Sequence, residues 1–173
     1  MHFIDGYATL FKGIYELDNI VNFLKQCEIF YQFTPTQLEL VGNLCKEVVF
    51  DADILIFPEN NNGKELYLIV QGEVEIFIHH DAKESVIARL RRGQSFGEVA
   101  LVDEGLRSAS ARATQKDTRL LVIQRNQIIM LCETYPQLGF RLMFNLAADL
   151  AMKIRSTDLR MREQLLYKPL NKS

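Results

Sequence analysis

The chain has 173 residues, 48% of them hydrophobic, enough for one compact core and about one domain. Twenty Lys and Arg stand against 22 Asp and Glu, a net charge of −2, which excludes a general polyanion binder. There is no apolar run of the roughly 18 residues that span a membrane, no secretory-signal pattern at the start, and no CxxC pair among Cys27, Cys45 and Cys132.

Residues 1–45 read as helical. Ile20, Val21, Phe23 and Leu24 fall at helical spacing, and Thr34-Pro35-Thr36-Gln37 is a cap that opens a second helix carrying Leu38, Val41 and Leu44 on one face. The aromatic residues Phe30, Tyr31 and Phe33 staple these helices to the strand region that begins at Lys46.

Over residues 46–124 the period changes to two. Short strand-like runs occur at Val48–Phe50, Ile54–Phe57, Leu66–Val70, Glu73–Ile78, Ser85–Leu90, Ser108–Ala113 and Arg119–Ile123. In Glu73–Ile78, Val74, Ile76 and Ile78 share one face, and Glu73 and Glu75 share the other. Asn61-Asn62-Gly63, Gln71-Gly72, His80-Asp81 and Arg92-Gly93 supply turns between the runs. Seven or eight short strands in this span predict a β-roll, a double-stranded jelly-roll barrel, and so an α+β fold flanked by helices. His79 and His80 read as a solvated strand end, with no partners for a metal.

Residues 125–167 return to helix. Arg125–Cys132 forms a short helix, and a long one follows from Pro136, with Met143, Leu146, Leu150, Ile154, Thr157, Met161 and Leu165 as its stripe. This stripe outruns the roll it can cover, so a parallel homodimer through the helix is expected. Residues 152–173 carry six basic and two acidic side chains. Only Lys168–Ser173 lie beyond the long helix, so no DNA-binding domain is expected, and the whole of residues 1–173 reads as one domain.

The chemistry concentrates in residues 93–109. Gly93-Gln94-Ser95-Phe96-Gly97-Glu98-Val99-Ala100-Leu101 places a glycine turn before one helical turn, with Glu98 at its start. Arg107, Ser108 and Ala109 follow: a planar cationic fork, a hydroxyl, and a residue small enough for close approach to the backbone. Alone, Gly97-Glu98 is ordinary helix capping, and Arg107 is a surface charge near Asp103. Together, a fixed acid and a fixed base suit a ligand that carries both hydroxyl and phosphate.

This stretch, with Leu66–Val74, resembles the cyclic-nucleotide-binding domain family, which includes bacterial catabolite activators and the regulatory subunits of cAMP-dependent protein kinase. The resemblance implies that Glu98 holds a ribose 2′-hydroxyl and Arg107 a cyclic phosphate. Ser108 and the backbone around Phe96, Gly97, Val99, Ala100 and Ala109 would complete that site. Ile87, Ala88, Lys153, Ile154, Ser156 and Thr157 are its candidate base contacts. Lys153 and Ile154 stand where catabolite activators carry a Thr-Ser pair, Leu106 stands where many relatives have proline, and Asp53 stands at a turn position that is often glycine.

The implied ligand is cAMP or cGMP, with cAMP favoured because Ser108 replaces the Thr of cGMP-selective relatives. No other cofactor is implied. A non-enzymatic, stand-alone cytoplasmic module is expected, signalling by helix rearrangement to an unidentified protein effector. No P-loop, HExxH or GxSxG motif is present. The alternative is a ligand-free scaffold of the same fold that dimerises through its long helix.

Overall fold

The computed structural model describes residues 17–80, 83–103 and 105–166. Helix α1 spans Leu17–Leu24, a 3-10 turn spans Glu28–Phe30, and α2 spans Pro35–Gly42. The predicted cap starts α2: Thr34 Oγ1 accepts from the Gln37 amide at 3.3 Å, and Gln37 Oε1 accepts from the Thr34 amide at 3.0 Å.

Strands β1 (Lys46–Phe50), β8 (Thr118–Gln124), β3 (Glu65–Gln71) and β6 (Ser95–Phe96) form one antiparallel sheet in that order. Strands β2 (Leu55–Phe57), β7 (Ser110–Ala113), β4 (Glu73–His80) and β5 (Lys83–Arg91) form the second. The two sheets make the expected roll. The first strand pairs with the last, with Lys46 opposite Val122 and Phe50 opposite Thr118. The two-residue β6 is too short to leave a period in the sequence.

The apolar run of β3 follows from its burial on both faces. Leu66, Leu68 and Val70, with Leu121 and Ile123 of β8, pack against the helices. Tyr67 and Ile69, with Leu120 and Val122, face the interior of the roll, among Val48, Phe50, Val74 and Phe96. One sheet therefore separates two cores. In the second sheet β4 is buried on both faces over Glu73–Glu75, and β5 slips register opposite Ile76 and Phe77, with Ile87 as the extra residue. This bulge changes the parity of β5: Ala88 and Leu90 pack in the roll while Val86 is exposed. On β4, Ile76 faces the roll and Phe77 is buried on the outer face, beneath Arg112 and beside His79.

Glu73 and Glu75, read as outward-facing, are buried under arginines. Arg91 donates to Glu73 at 2.8 Å, and Arg89 and Arg112 donate to Glu75 at 3.0 and 2.9 Å. His79 contacts Glu59 at 3.0 Å and is more than a strand-end histidine in solvent. No group of three or more His, Cys, Asp or Glu among the described residues is arranged to hold a metal.

Helix α4 spans Arg125–Thr134, and α5 spans Pro136–Leu166. Gly139 brings the start of α5 against α4, since a Cβ there would meet Cys132 Cβ at 2.8 Å. Phe30 and Phe33 are buried as predicted, but Tyr31 is exposed. The α5 stripe divides: Leu146 is buried with Leu138 and Leu142, and Met143 packs on that core, while Ile154 and Thr157 are exposed. The side chains of Met161 and Leu165, and the early segment read as helical before Leu17, lie outside the described residues. Among the described residues no helix is long and apolar enough to cross a membrane.

Candidate functional site

The site opens between the second sheet, the loop from β6 to β7, and α5. Its loop begins where Gly97 turns the chain with φ of +78° after Phe96. Glu98 follows, at the head of the four-residue helix α3 (Val99–Val102). The chain then returns through Arg107, whose backbone is clamped to the turn before β3. The Asn60 amide donates to the Arg107 carbonyl, and the Arg107 amide donates to the Asn61 carbonyl, both at 2.8 Å. Ser108 and Ala109 remain outside the β7 ladder, which starts at Ser110, and their side chains border the cavity.

Arg107 is 6% exposed, unlike the solvated charge that the isolated residue implies. Its Nη1 donates to the Gly97 carbonyl at 3.2 Å, and its Nη2 donates to the Glu65 carbonyl and Glu65 Oε2 at 3.1 and 3.2 Å. The guanidinium lies 4.1 Å from the Phe57 ring centroid. Asp103 instead accepts from the Gly105 amide. Burial pulls Arg107 below the ordinary arginine range, against Tyr67, Glu65 and Glu98, which favour its charge. Its Nε is buried with no hydrogen-bond partner among the described residues. An orphaned N–H on a buried cation is a donor suited to an anionic oxygen.

Two glycines make room for this side chain. A Cβ on Gly97 would stand 2.6 Å from Arg107 Nη1 and 2.8 Å from the Glu65 carbonyl oxygen. A Cβ on Gly63 would collide with Arg107 Nε and Cζ. Gly63, read only as a turn residue, is therefore part of the arginine's seat.

Glu98 is equally buried, at 6% exposed. Its Oε1 accepts from Lys153 Nζ of α5 at 2.9 Å. Glu98 and Arg107 both line a cavity of about 370 Å³, within the range of small-molecule sites. Phe96, Gly97, Val99, Ser108, Ala109, Ile87, Ala88, Lys153, Ser156 and Thr157 also border it. Of the residues anticipated from sequence, Ile154 is exposed on α5 and does not border the cavity, and the side chain of Ala100, within α3, lies outside the described residues. Lys153, Ser156 and Thr157 form the α5 wall, without Ile154, and the hydroxyls of Ser156 and Thr157 donate to the Lys153 carbonyl, at 2.8 and 2.9 Å.

Phe57, Ile76, Leu90 and Leu106 complete the lining, and sequence reasoning did not single them out. The alternation of β4 and β5 marks Ile76 and Leu90 as inward-facing, which was the available signal. Nothing local marks Glu65 as the partner of Arg107. Asp53 takes the left-handed conformation, φ 64°, that its glycine-favoured turn demands.

The sequence profile described as cyclic nucleotide-binding domain matches residues 47–135. The cyclic AMP receptor protein of Thermus thermophilus is 34% identical over 137 residues, covering 79% of this chain and 61% of that protein. The chain thus spans about three fifths of that relative's length. The crystal structure of the Thermus thermophilus catabolite activator protein superposes with a TM-score of 0.68 at 34% identity, over 78% of this chain and 62% of that one. A cyclic nucleotide-binding domain from Methylobacillus flagellatus shares the fold with a TM-score of 0.81 at 21% identity, over 99% and 94% of the two chains. A buried acid and a buried arginine thus face one cavity in a roll shared with these proteins, and the chain belongs to the cyclic nucleotide-binding domain family.

Proposed function

We propose that this protein binds a cyclic mononucleotide, with cAMP favoured over cGMP, and acts by binding and not by catalysis. In this reading Glu98 accepts a hydrogen bond from the ribose 2′-hydroxyl. The cyclic phosphate meets Arg107, whose Nε–H has no protein partner among the described residues, with the Ser108 hydroxyl beside it. The purine lies toward Ile87, Ala88 and the Ser156–Thr157 wall. The observation that carries the reading is that one small cavity holds two buried, oppositely charged side chains, Glu98 and Arg107. Calorimetric titration with cAMP, cGMP and a cyclic dinucleotide tests it. We expect saturable binding of cAMP, weaker binding of cGMP, and none of the dinucleotide. A flat trace for all three overturns it.

Occupancy is passed to an effector protein through α5, which contributes both a wall of the cavity and a face turned to solvent. That outer face supports a parallel homodimer. Phe140, Phe144, Ala147, Ala151 and Ile154 follow one another at alternating spacings of four and three, the a/d pattern of a two-helix seam. Phe140, Phe144 and Ile154 are each more than 60% exposed. The same face favours the second reading, a ligand-free scaffold that dimerises through α5. A dimer together with flat titrations selects it. A cytoplasmic setting belongs to either reading and accords with the free thiols of Cys27, Cys45 and Cys132.

A further inference from the structure

Lys153 reaches from α5 across 55 residues of sequence to the loop that carries Glu98. Its ammonium meets three oxygens: Glu98 Oε1 at 2.9 Å, the Ser95 carbonyl at 3.1 Å, and Asp149 Oδ2 at 2.7 Å. Glu98 and the Ser95 carbonyl accept hydrogen bonds from it, and Asp149 pairs with it by charge. Burial opposes the charge of Lys153, but the Glu98 and Asp149 carboxylates outweigh it and hold the ammonium above the ordinary lysine range. The cation is therefore permanent at neutral pH, and two of its protons are directed at protein oxygens.

This geometry separates two roles that a cation lining a nucleotide cavity can play. A lysine that reads a base or a phosphate keeps at least one proton aimed at the ligand. Lys153 donates to the acid and to the backbone of β6 where that acid's loop begins, and pairs by charge with Asp149 of its own helix. Glu98 receives the lysine on Oε1, which leaves Oε2 as the oxygen to accept from a hydroxyl. The Ser95 contact fixes the start of the same loop, so Lys153 sets both the origin of the loop and the direction of the carboxylate at its end. Asp149 lies one helical turn before Lys153, 14% exposed, and aims the ammonium from behind.

We propose that Lys153 is the positioning residue for the sugar: it orients Glu98 toward the ribose 2′-hydroxyl and takes no part in reading the base. The assignment rests on the cyclic-nucleotide reading above. A residue on the helix expected to face the base thus controls discrimination at the ribose.

The experiment compares three nucleotides, cAMP, 2′-deoxy-cAMP and cGMP, by competition binding to the full chain and its variants. In the unmodified protein cAMP is expected to bind about tenfold or more tightly than 2′-deoxy-cAMP, the worth of a hydrogen bond to a charged group. Lys153→Met should reduce that ratio by about fivefold or more, because Glu98 loses its orientation. The ratio of cAMP to cGMP should stay unchanged. Lys153→Arg, which keeps a cation beside Glu98, should restore part of the sugar ratio. Asp149→Asn, which loosens the lysine from behind, should lower it in the same direction, and it keeps the test available if Lys153→Met does not fold.

Equal weakening of cAMP and 2′-deoxy-cAMP by Lys153→Met would show a structural tether only and overturn the proposal. A rise in the sugar ratio would mean that the lysine competes with the hydroxyl for Glu98, and would overturn it too. So would a changed base ratio with the sugar ratio intact. If the unmodified protein binds neither cAMP nor cGMP, the cyclic-nucleotide reading itself fails, and this assignment with it.

Discussion

Both terminal nitrogens of Arg107 bond to the protein and Nε has no partner among the described residues, so its removal unpairs Glu65 and, in the proposed reading, deletes a donor for the phosphate. Truncating one side of a buried, hydrogen-bonded charge pair costs ~2–5 kcal/mol, so Arg107→Leu should weaken nucleotide binding well over tenfold. Glu98→Gln should cost less, because an amide oxygen still accepts from a hydroxyl. Titration of the folded variants checks the order, and normal binding by Arg107→Leu would refute the site. Gly63→Ala is a subtler probe, since it adds one carbon where the arginine lies. It should weaken binding by about tenfold, the equivalent of about 1.4 kcal/mol, without altering the circular dichroism spectrum. The thiols offer an independent check on packing. Burial pushes Cys27 and Cys45 up to about 12, so iodoacetamide at pH 8 should modify them slowly in the native protein and rapidly in denaturant. Rapid native labelling of Cys27 would contradict its burial.

The elements differ in how much of their role was legible in their own residues. The switch from helical to two-residue period marks the roll because it is local, and the Thr34–Gln37 cap marks α2 for the same reason. The bulge at Ile76/Phe77 was not legible, since it arises from how β5 pairs with β4. The partners of the site were the least legible. Arg107 meets Glu65 across 42 residues, and Lys153 meets Glu98 across 55, and no spacing rule connects such pairs. Helical periodicity identified α5 and the start of its apolar face, but it could not say which turn reaches the cavity. Two predictions belong to this scale. The hydrogen bond from Arg112 outweighs burial and, with Arg89 assisting, holds Glu75 below the usual carboxylate range. A depressed native pKa contributes stability that is present above the unfolded value of about 4.3 and is lost as pH falls through the native value. The thermal midpoint should therefore fall on acidification below pH 5. Glu75→Gln should start lower at pH 7 and fall less steeply, and identical slopes would refute the pairing. For α5, replacing the exposed seam residues Phe140 and Phe144 together by Ser should convert a dimer to a monomer in light scattering. A full-length protein that is monomeric at tens of micromolar, with and without nucleotide, would refute the seam.

At the scale of the molecule, the sheet β1-β8-β3-β6 is the shared wall of both cores, so neither side can be loosened alone. Leu68 faces the helices and its neighbours Tyr67 and Ile69 face the roll. Leu68→Ala should cost about 2–5 kcal/mol. It should also shift helical and tyrosine signals together in one unfolding transition, whereas two separated transitions would show independent cores. The pairing of the first strand with the last adds a consequence in time. Lys46 must wait for Val122, which is made 76 residues later. At about 5–20 residues per second this interval is roughly 4–15 s on the ribosome, during which β1 has no ladder to join. The seam that closes the wall thus forms only after β8 is made, and until then Val48 and Phe50 of β1 lack the Leu120 and Val122 that cover them inside the roll.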